Sequence, residues 1–216
     1  DVVFDTPLEV ISNLKSNAKT LSFSPDCNSG CTETVSLTRN NETVSVSGGK
    51  TVCVIGSNKA FDVSFGAGGG TLRICGSNLT IQDLANNKIN DPMSIIITSE
   101  SSVTFDDKKG TNFNQNNNTI ENYGEVIFKG GINLAGELKN NGSMTVTGGF
   151  TTETQSNPVT EHINNGTLVV NGKMDIGSNS IFHNYGSVKT TDLKVFNHST
   201  FINYCKLHVT NDYDHS

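Results

Sequence analysis

Five copies of one short frame occupy the second half of this 216-residue chain. Each reads Asn, a variable residue, Gly, a polar residue and an apolar one, with a single exception at the Gly. The copies are Asn122-Tyr123-Gly124-Glu125-Val126, Asn140-Asn141-Gly142-Ser143-Met144, Asn164-Asn165-Gly166-Thr167-Leu168, Asn184-Tyr185-Gly186-Ser187-Val188 and Asn203-Tyr204-Cys205-Lys206-Leu207. Their leading asparagines stand 18, 24, 20 and 19 positions apart. A period of about 20 residues marks a solenoid, in which each repeat is one coil stacked on its neighbour. Stacked coils expose ladders of equivalent positions. Those suit extended binding surfaces and stalks better than one enclosed catalytic pocket.

The columns of the frame have consistent chemistry. The fourth residue after each Asn is Val126, Met144, Leu168, Val188 or Leu207, always apolar. The sixth is Phe128, Val146, Val170, Thr190 or Val209, apolar in four of the five. The third is Glu125, Ser143, Thr167, Ser187 or Lys206, always polar. Two residues before the Asn stand Ile120, Leu138, His162, Phe182 and Phe201. This is a strand, a tight turn and a second strand with one face packed inward. At the turn, Asn122, Asn140, Asn164, Asn184 and Asn203 are expected to bond free backbone groups and one another in a ladder. Gly124, Gly142, Gly166 and Gly186 are expected to supply a left-handed or otherwise forbidden backbone angle.

The first half carries the same period less openly. Val35 and Leu37, then Val44 and Val46, alternate with polar residues as half-buried strands do. Thr51-Val52-Cys53-Val54-Ile55-Gly56 aligns without a gap on Thr71-Leu72-Arg73-Ile74-Cys75-Gly76, 20 residues on. Arg73 must face water, so Leu72 and Ile74 face in, and Cys75 and Cys53 face out. Those two cysteines sit two positions out of step. A rung of about 4.8 Å and a further ~6.6 Å along the strand give a diagonal beyond the roughly 7 Å Cα limit of a disulfide. A Cys53–Cys75 bond therefore requires a bulge or a shifted register. Cys27 and Cys31 form a Cys-x3-Cys loop that reads as a small disulfide loop or as half a metal site. No second Cys or His pair has zinc spacing, so no metal and no cofactor are expected. Cys27, Cys31, Cys53 and Cys75 are the disulfide candidates, which argues for secretion. Cys205 is left over, either a buried thiol acting as a small hydrophobe or a reactive one.

Residues 1–32 read as an N-terminal cap for the open end of the solenoid, and 33–216 as a single elongated repeat domain. Thr6-Pro7-Leu8-Glu9 matches a capping box, and Leu8, Ile11 and Leu14 follow three apart. An uncapped end would offer its strand edges to other chains. Asp106 to Asn118 reads as a loop extruded from one coil, and Thr151 to Pro158 as an insertion. The fold class expected is all-β, a right-handed parallel β-helix with about 20 residues per coil.

Composition excludes several classes. With 28 Asn, 21 Gly and no Trp, turns dominate and long helices are disfavoured. A net charge of −6 without basic clusters gives no footprint for nucleic acid. No apolar run approaches the roughly 20 residues of a membrane span. The start, Asp1-Val2-Val3-Phe4, has no signal-peptide pattern, so the chain is cytosolic or already processed.

The Gly69-Gly70-Thr71-Leu72-Arg73-Ile74-Cys75-Gly76 stretch and the Asn-Tyr-Gly-x-Val repeats resemble the repeat regions of large secreted surface proteins of Bacteroidetes. More broadly the frame is similar to the Asn-x-Gly repeats of filamentous haemagglutinin-type and autotransporter β-helices. The resemblance covers roughly residues 40–210. It implies an adhesin, or the stalk of one, at a bacterial cell surface. Such a module would be part of a longer surface protein, and its partner a glycan or protein on a host or neighbouring cell. Cys205 and the 24-residue third coil depart from the repeat.

The residue after each Asn varies: Tyr123, Asn141, Asn165, Tyr185, Tyr204. Tyr185 and Tyr204 fall on consecutive coils, with Lys206 and His208 alternating nearby. These four are the candidate binding residues, because aromatic faces with polar donors suit sugar rings. A stack that merely covers a turn is the plainer reading. The alternative function is a polysaccharide lyase or hydrolase, for which Asp106-Asp107 with Lys108-Lys109 is the densest charged set. Asp212 and Asp214 form a weak acidic pair for calcium. Ice binding is a third reading, but Thr145, Thr147, Thr152 and Thr154 share columns with Val169, Lys189 and His208. His162, His183, His198 and His208 fall in different columns, against a metal ladder. Asn41, Asn78, Asn117, Asn165 and Asn197 begin Asn-x-Ser/Thr triplets, a number that chance supplies among 28 asparagines.

Overall fold

In a computed structural model, residues 2–3, 26–27, 29–85, 92–106, 111–113, 117–152 and 159–215 are described. Their strands stack in register as a parallel β-solenoid of about eight turns, with roughly 20 residues per turn and no helix among them. At about 4.8 Å per rung the stack is about 40 Å long. One face is a nine-stranded ladder from Glu33–Ser36 through Lys50–Ile55, Gly70–Ile74, Met93–Ile97, Thr119–Asn122, Glu137–Asn140, Thr160–Asn164 and Ser180–Asn184 to Thr200–Asn203. The second runs from Glu42–Val46 through Ala60–Phe65, Leu79–Ala85, Ser102–Phe105, Glu125–Phe128, Ser143–Val146, Thr167–Ile176 and Ser187–Val195 to Lys206–His215. A third face opens at Thr111–Phe113 and continues through Ile132–Leu134 and Phe150–Thr152. It then merges with the far halves of the longest strands, where Phe150 pairs with Met174 and Met174 with Leu193. Thr111–Phe113 thus corrects the expected loop: Phe113 is fully buried and belongs to the core. Residues 107–110 and 114–116 lie outside the described set.

Alternation explains the packing. Along the ladders alternate side chains fill a single continuous core and the others face out, and the inward parity changes only at bulges, as between Thr190 and Leu193. The Thr51 and Thr71 segments pair as aligned, with Val52 on Leu72, Cys53 on Arg73 and Val54 on Ile74. Stacking equal residues extends to aromatics: Phe105 lies on Phe128 at 4.4 Å and Phe182 on Phe201 at 5.4 Å between ring centres. His162 occupies one of these inward positions, next to Phe182.

The corner between the first two faces exists in two forms. In the early coils its inward residue is apolar, as in Val35, Val54, Ile74 and Ile97, and Asn41, Asn58 and Asn78 take the left-handed backbone just beyond. From Asn122 onward that inward column becomes Asn, beginning where Asn122 pairs with Ile97. Gly124, Gly142, Gly166 and Gly186 are not among the positive-φ glycines. Their requirement is space. A Cβ would meet a carbonyl oxygen of the preceding coil at 2.2 Å for Gly124, 2.1 Å for Gly142, 2.0 Å for Gly166 and 2.1 Å for Gly186. The expected backbone-angle role is replaced by a steric one.

A segment before the first coil is stapled to its outer surface. Cys27 bonds Cys75 and Cys31 bonds Cys53, each with Cα atoms 5.7 Å apart. Neither the small Cys27–Cys31 loop nor a Cys53–Cys75 bond forms. The two outward cysteines, too far apart for each other, each take a partner from the strap. Arg73 lies between them and donates to the carbonyls of Asp26 at 2.9 Å and Ser29 at 2.6 Å. The strap leaves Cys53 with no exposure, although it points away from the lumen. At the opposite end, Val2–Val3 pair antiparallel with Val209 and His208 of the last coil. The extreme N-terminus therefore reaches the C-terminal end of the stack. The capping-box residues Thr6 to Glu9, with Ile11 and Leu14, lie outside the described residues.

Candidate functional site

The asparagine column forms an unbroken hydrogen-bonded ladder. Nδ2 of Asn122 donates to Oδ1 of Asn140 at 2.8 Å, Asn140 to Asn164 at 2.7 Å, Asn164 to Asn184 at 2.7 Å and Asn184 to Asn203 at 2.7 Å. Each Nδ2 spends its second hydrogen on a backbone carbonyl of the next coil: Ser143 at 3.0 Å, Thr167 at 3.0 Å, Ser187 at 3.1 Å and Lys206 at 2.8 Å. Asn122, Asn140, Asn164 and Asn184 are fully buried. Asn140, Asn164 and Asn184 are partnered in the coils on both sides, and the Asn122 oxygen, at the start of the column, accepts from the Gly124 N–H at 3.1 Å.

The variable slot of the same corner points outward. Tyr185 and Tyr204 stack with ring centres 4.5 Å apart and planes 3° from parallel. His183 joins them at 5.9 Å from Tyr185 and 6.1 Å from Tyr204, again nearly parallel. Sequence columns separated His183 from the tyrosines. Parity was the available signal, because residues two apart on a strand share a face. Tyr185 is 40% exposed. Partial burial, then the neighbouring Tyr204 hydroxyl and Glu161, hold its phenol above the ordinary value. At the other end of the column Tyr123 donates to Glu121 at 3.2 Å, and its phenol is raised by burial and by that carboxylate.

Lys206 is exposed beside this corner, while His208 lies on the second face against Lys189 and Val3. Among the described residues neither makes a ring contact, ion pair or hydrogen bond to the stack. The structure thus groups His183, Tyr185 and Tyr204 and leaves His208 apart. Cys205 is a free thiol and exposed, so the buried alternative does not hold.

Asp106 pairs with Lys129 at 2.9 Å. Asp107, Lys108 and Lys109 lie outside the described residues. Asp214 pairs with Lys194 at 3.0 Å. A cleft of about 590 Å³ lies between the strap and the Thr98–Ser101 corner, lined by Asp26, Cys27, Cys75 and Glu100 among others. The Thr98 and Ser101 hydroxyls beneath it bond each other at 2.6 Å. His162 is fully buried with neither ring nitrogen partnered, and burial lowers its pKa to about 3. Among the described residues no group of three or more His, Cys, Asp or Glu is placed to hold a metal ion. No helix among them is long and apolar enough to cross a membrane.

Comparison with protein families, with curated proteins and with solved structures finds no match.

Proposed function

We propose that this chain is a non-catalytic binding and display module, an adhesin or adhesin stalk secreted to a bacterial cell surface. The observation that carries the reading is the outward stack of Tyr185 and Tyr204 with His183, held on a corner whose inner side is locked by the asparagine ladder. Parallel rings fixed by backbone register lose little freedom on binding, and aromatic faces with flanking polar groups suit the apolar face of a sugar. The strap disulfides fit an oxidising, extracellular setting.

The test is a glycan array together with binding to whole cells. Specific binding weakened at least tenfold by Tyr185→Ala or Tyr204→Ala, with no product formed, supports the module. Turnover of a polysaccharide that is lost in Asp106→Ala or Asp107→Ala would replace it with the lyase or hydrolase. Absence of any binding to glycans or cells would leave a spacer.

A further inference from the structure

Six Asn-x-Ser/Thr triplets occur in the chain, at Asn41, Asn78, Asn117, Asn141, Asn165 and Asn197, and their number alone is uninformative. Their placement says more. About half of the asparagines whose side chains are described are exposed, yet five of the six are, and only Asn141 is half-buried, its amide oxygen accepting from Asn165. All six sit at turns between ladders. Asn41, Asn78, Asn141 and Asn165 lie along one edge of the solenoid, the corner leading from the first face to the second, and Asn41, Asn78 and Asn165 are its exposed members. Asn117 and Asn197 lie along the edge that enters the first face. The buried ladder asparagines at the first corner are followed at the second position by Gly or Cys and never form the triplet.

The hydroxyl of the third residue separates the two edges. At the entering edge it is committed: Thr119 shares a hydrogen bond with Ser94, and Ser199 donates to the carbonyls of Ile176 and Phe196. Among the described residues, the Thr43, Thr80 and Thr167 hydroxyls make no such side-chain bond. Asparagine-linked transfer needs both a reachable amide and that hydroxyl, so the first edge meets the requirement better.

We infer that Asn41, Asn78 and Asn165 are sites of N-linked glycosylation, which lines one edge of the solenoid with sugar. In the transfer, Nδ2 bonds the anomeric carbon of a nucleotide- or lipid-activated sugar. That carbon's bond to its phosphate leaving group breaks, and the amide releases one proton. One N–H remains on each asparagine. The bonds from Asn78 to Asn58 at 3.3 Å and from Asn165 to Asn141 at 2.8 Å can therefore persist. A sugar on Asn165 stands one rung, about 4.8 Å, before Tyr185 in the same outward column and borders the aromatic stack.

Glycopeptide mass spectrometry of the chain isolated from the cells that make it tests this independently of any ligand binding. The expected result is sugar mass on Asn41, Asn78 and Asn165, and none on the half-buried Asn141 or on Asn171 and Asn211, which are exposed but lack the Ser or Thr two residues on. Single hexoses would point to a nucleotide-sugar donor and a preassembled oligosaccharide to a lipid-linked one. Thr167→Ala, which keeps Asn165, should abolish the increment on that peptide alone and leave the unfolding midpoint unchanged. A chain with no sugar, sugar on Asn171, or sugar persisting on Asn165 in Thr167→Ala would overturn the inference.

Discussion

Replacing Asn164 by Val isolates what the ladder contributes. Val54, Ile74 and Ile97 show that this inward column accepts a β-branched side chain, so the substitution introduces no obvious clash. It removes three strong hydrogen bonds, Asn140 to Asn164 at 2.7 Å, Asn164 to Asn184 at 2.7 Å and Asn164 to the Ser187 carbonyl at 3.1 Å, and a longer one to the Gly166 carbonyl at 3.3 Å that shares the same amide hydrogens. At about 1 kcal/mol net each the loss is about 3 kcal/mol, approaching about 5 because the orphaned partners stay buried. Asn203→Val is the control. Asn203 ends the column half-buried, receiving one ladder bond from Asn184 at 2.7 Å and donating an exposed one to the Cys205 carbonyl at 3.1 Å, so its loss should be about 1–2 kcal/mol. Urea unfolding followed by far-ultraviolet circular dichroism suits a chain without Trp. Asn164→Gly should cost at least as much as Asn164→Val, because the turn needs the amide and not a permissive backbone. If Asn164→Val costs no more than Asn203→Val, or if Asn164→Gly is mild, the ladder is not what holds the corner.

Three further outcomes follow from the same structure. Gly166→Ala places a Cβ 2.0 Å from the Gly142 oxygen with only backbone to yield, and should cost about 3 kcal/mol or more. Gly48→Ala meets nothing within 4 Å and should cost only the left-handed penalty at φ 63°, about 1 kcal/mol, by the same unfolding measurement. His162 is neutral in the fold with a pKa near 3 against 6.5 for the free side chain. The unfolded state binds its proton first, so stability falls as pH drops from about 6.5 towards 3, by about 2 kcal/mol at pH 5. In His162→Leu that part of the pH dependence should vanish from unfolding curves measured between pH 7 and 5. The strap disulfides close separations of 48 and 22 residues. Chain entropy assigns them about 4 and about 3 kcal/mol, so Cys27→Ala with Cys75→Ala should lower the melting temperature more than Cys31→Ala with Cys53→Ala.

The coil was legible because its period survives in five copies and because parity is rigid. Once Arg73 faces water, Leu72 and Ile74 must face in, and Val126, Met144, Leu168 and Val188 line up by counting alone. Three things were not legible for physical reasons. Disulfide partners are set by where the strap crosses the coils, and the run from Ser24 to Thr32 carries no periodicity to place it. Local geometry left a direct Cys53–Cys75 bond open on condition of a bulge or shifted register, and the strands pair there without one. The glycines looked like turn residues because local chemistry says so, whereas their constraint comes from a carbonyl about 20 residues earlier in sequence. The candidate site was half visible. Tyr185 and Tyr204 were found by column, while His183 was missed because columns compare coils and its contact runs along a strand. Lys206 and His208 alternate with the tyrosines in sequence, but the corner intervenes and turns the later residues onto the second face.

The regular frame is structural, and it leaves only its outward slot free for binding. Side-chain amide hydrogen exchange by NMR tests that division most directly. Nδ2 protons of Asn122, Asn140, Asn164 and Asn184 should exchange many-fold more slowly than those of the exposed Asn171 and Asn197. Uniform rapid exchange across all six asparagines would contradict a buried ladder and reopen the frame itself as a binding surface.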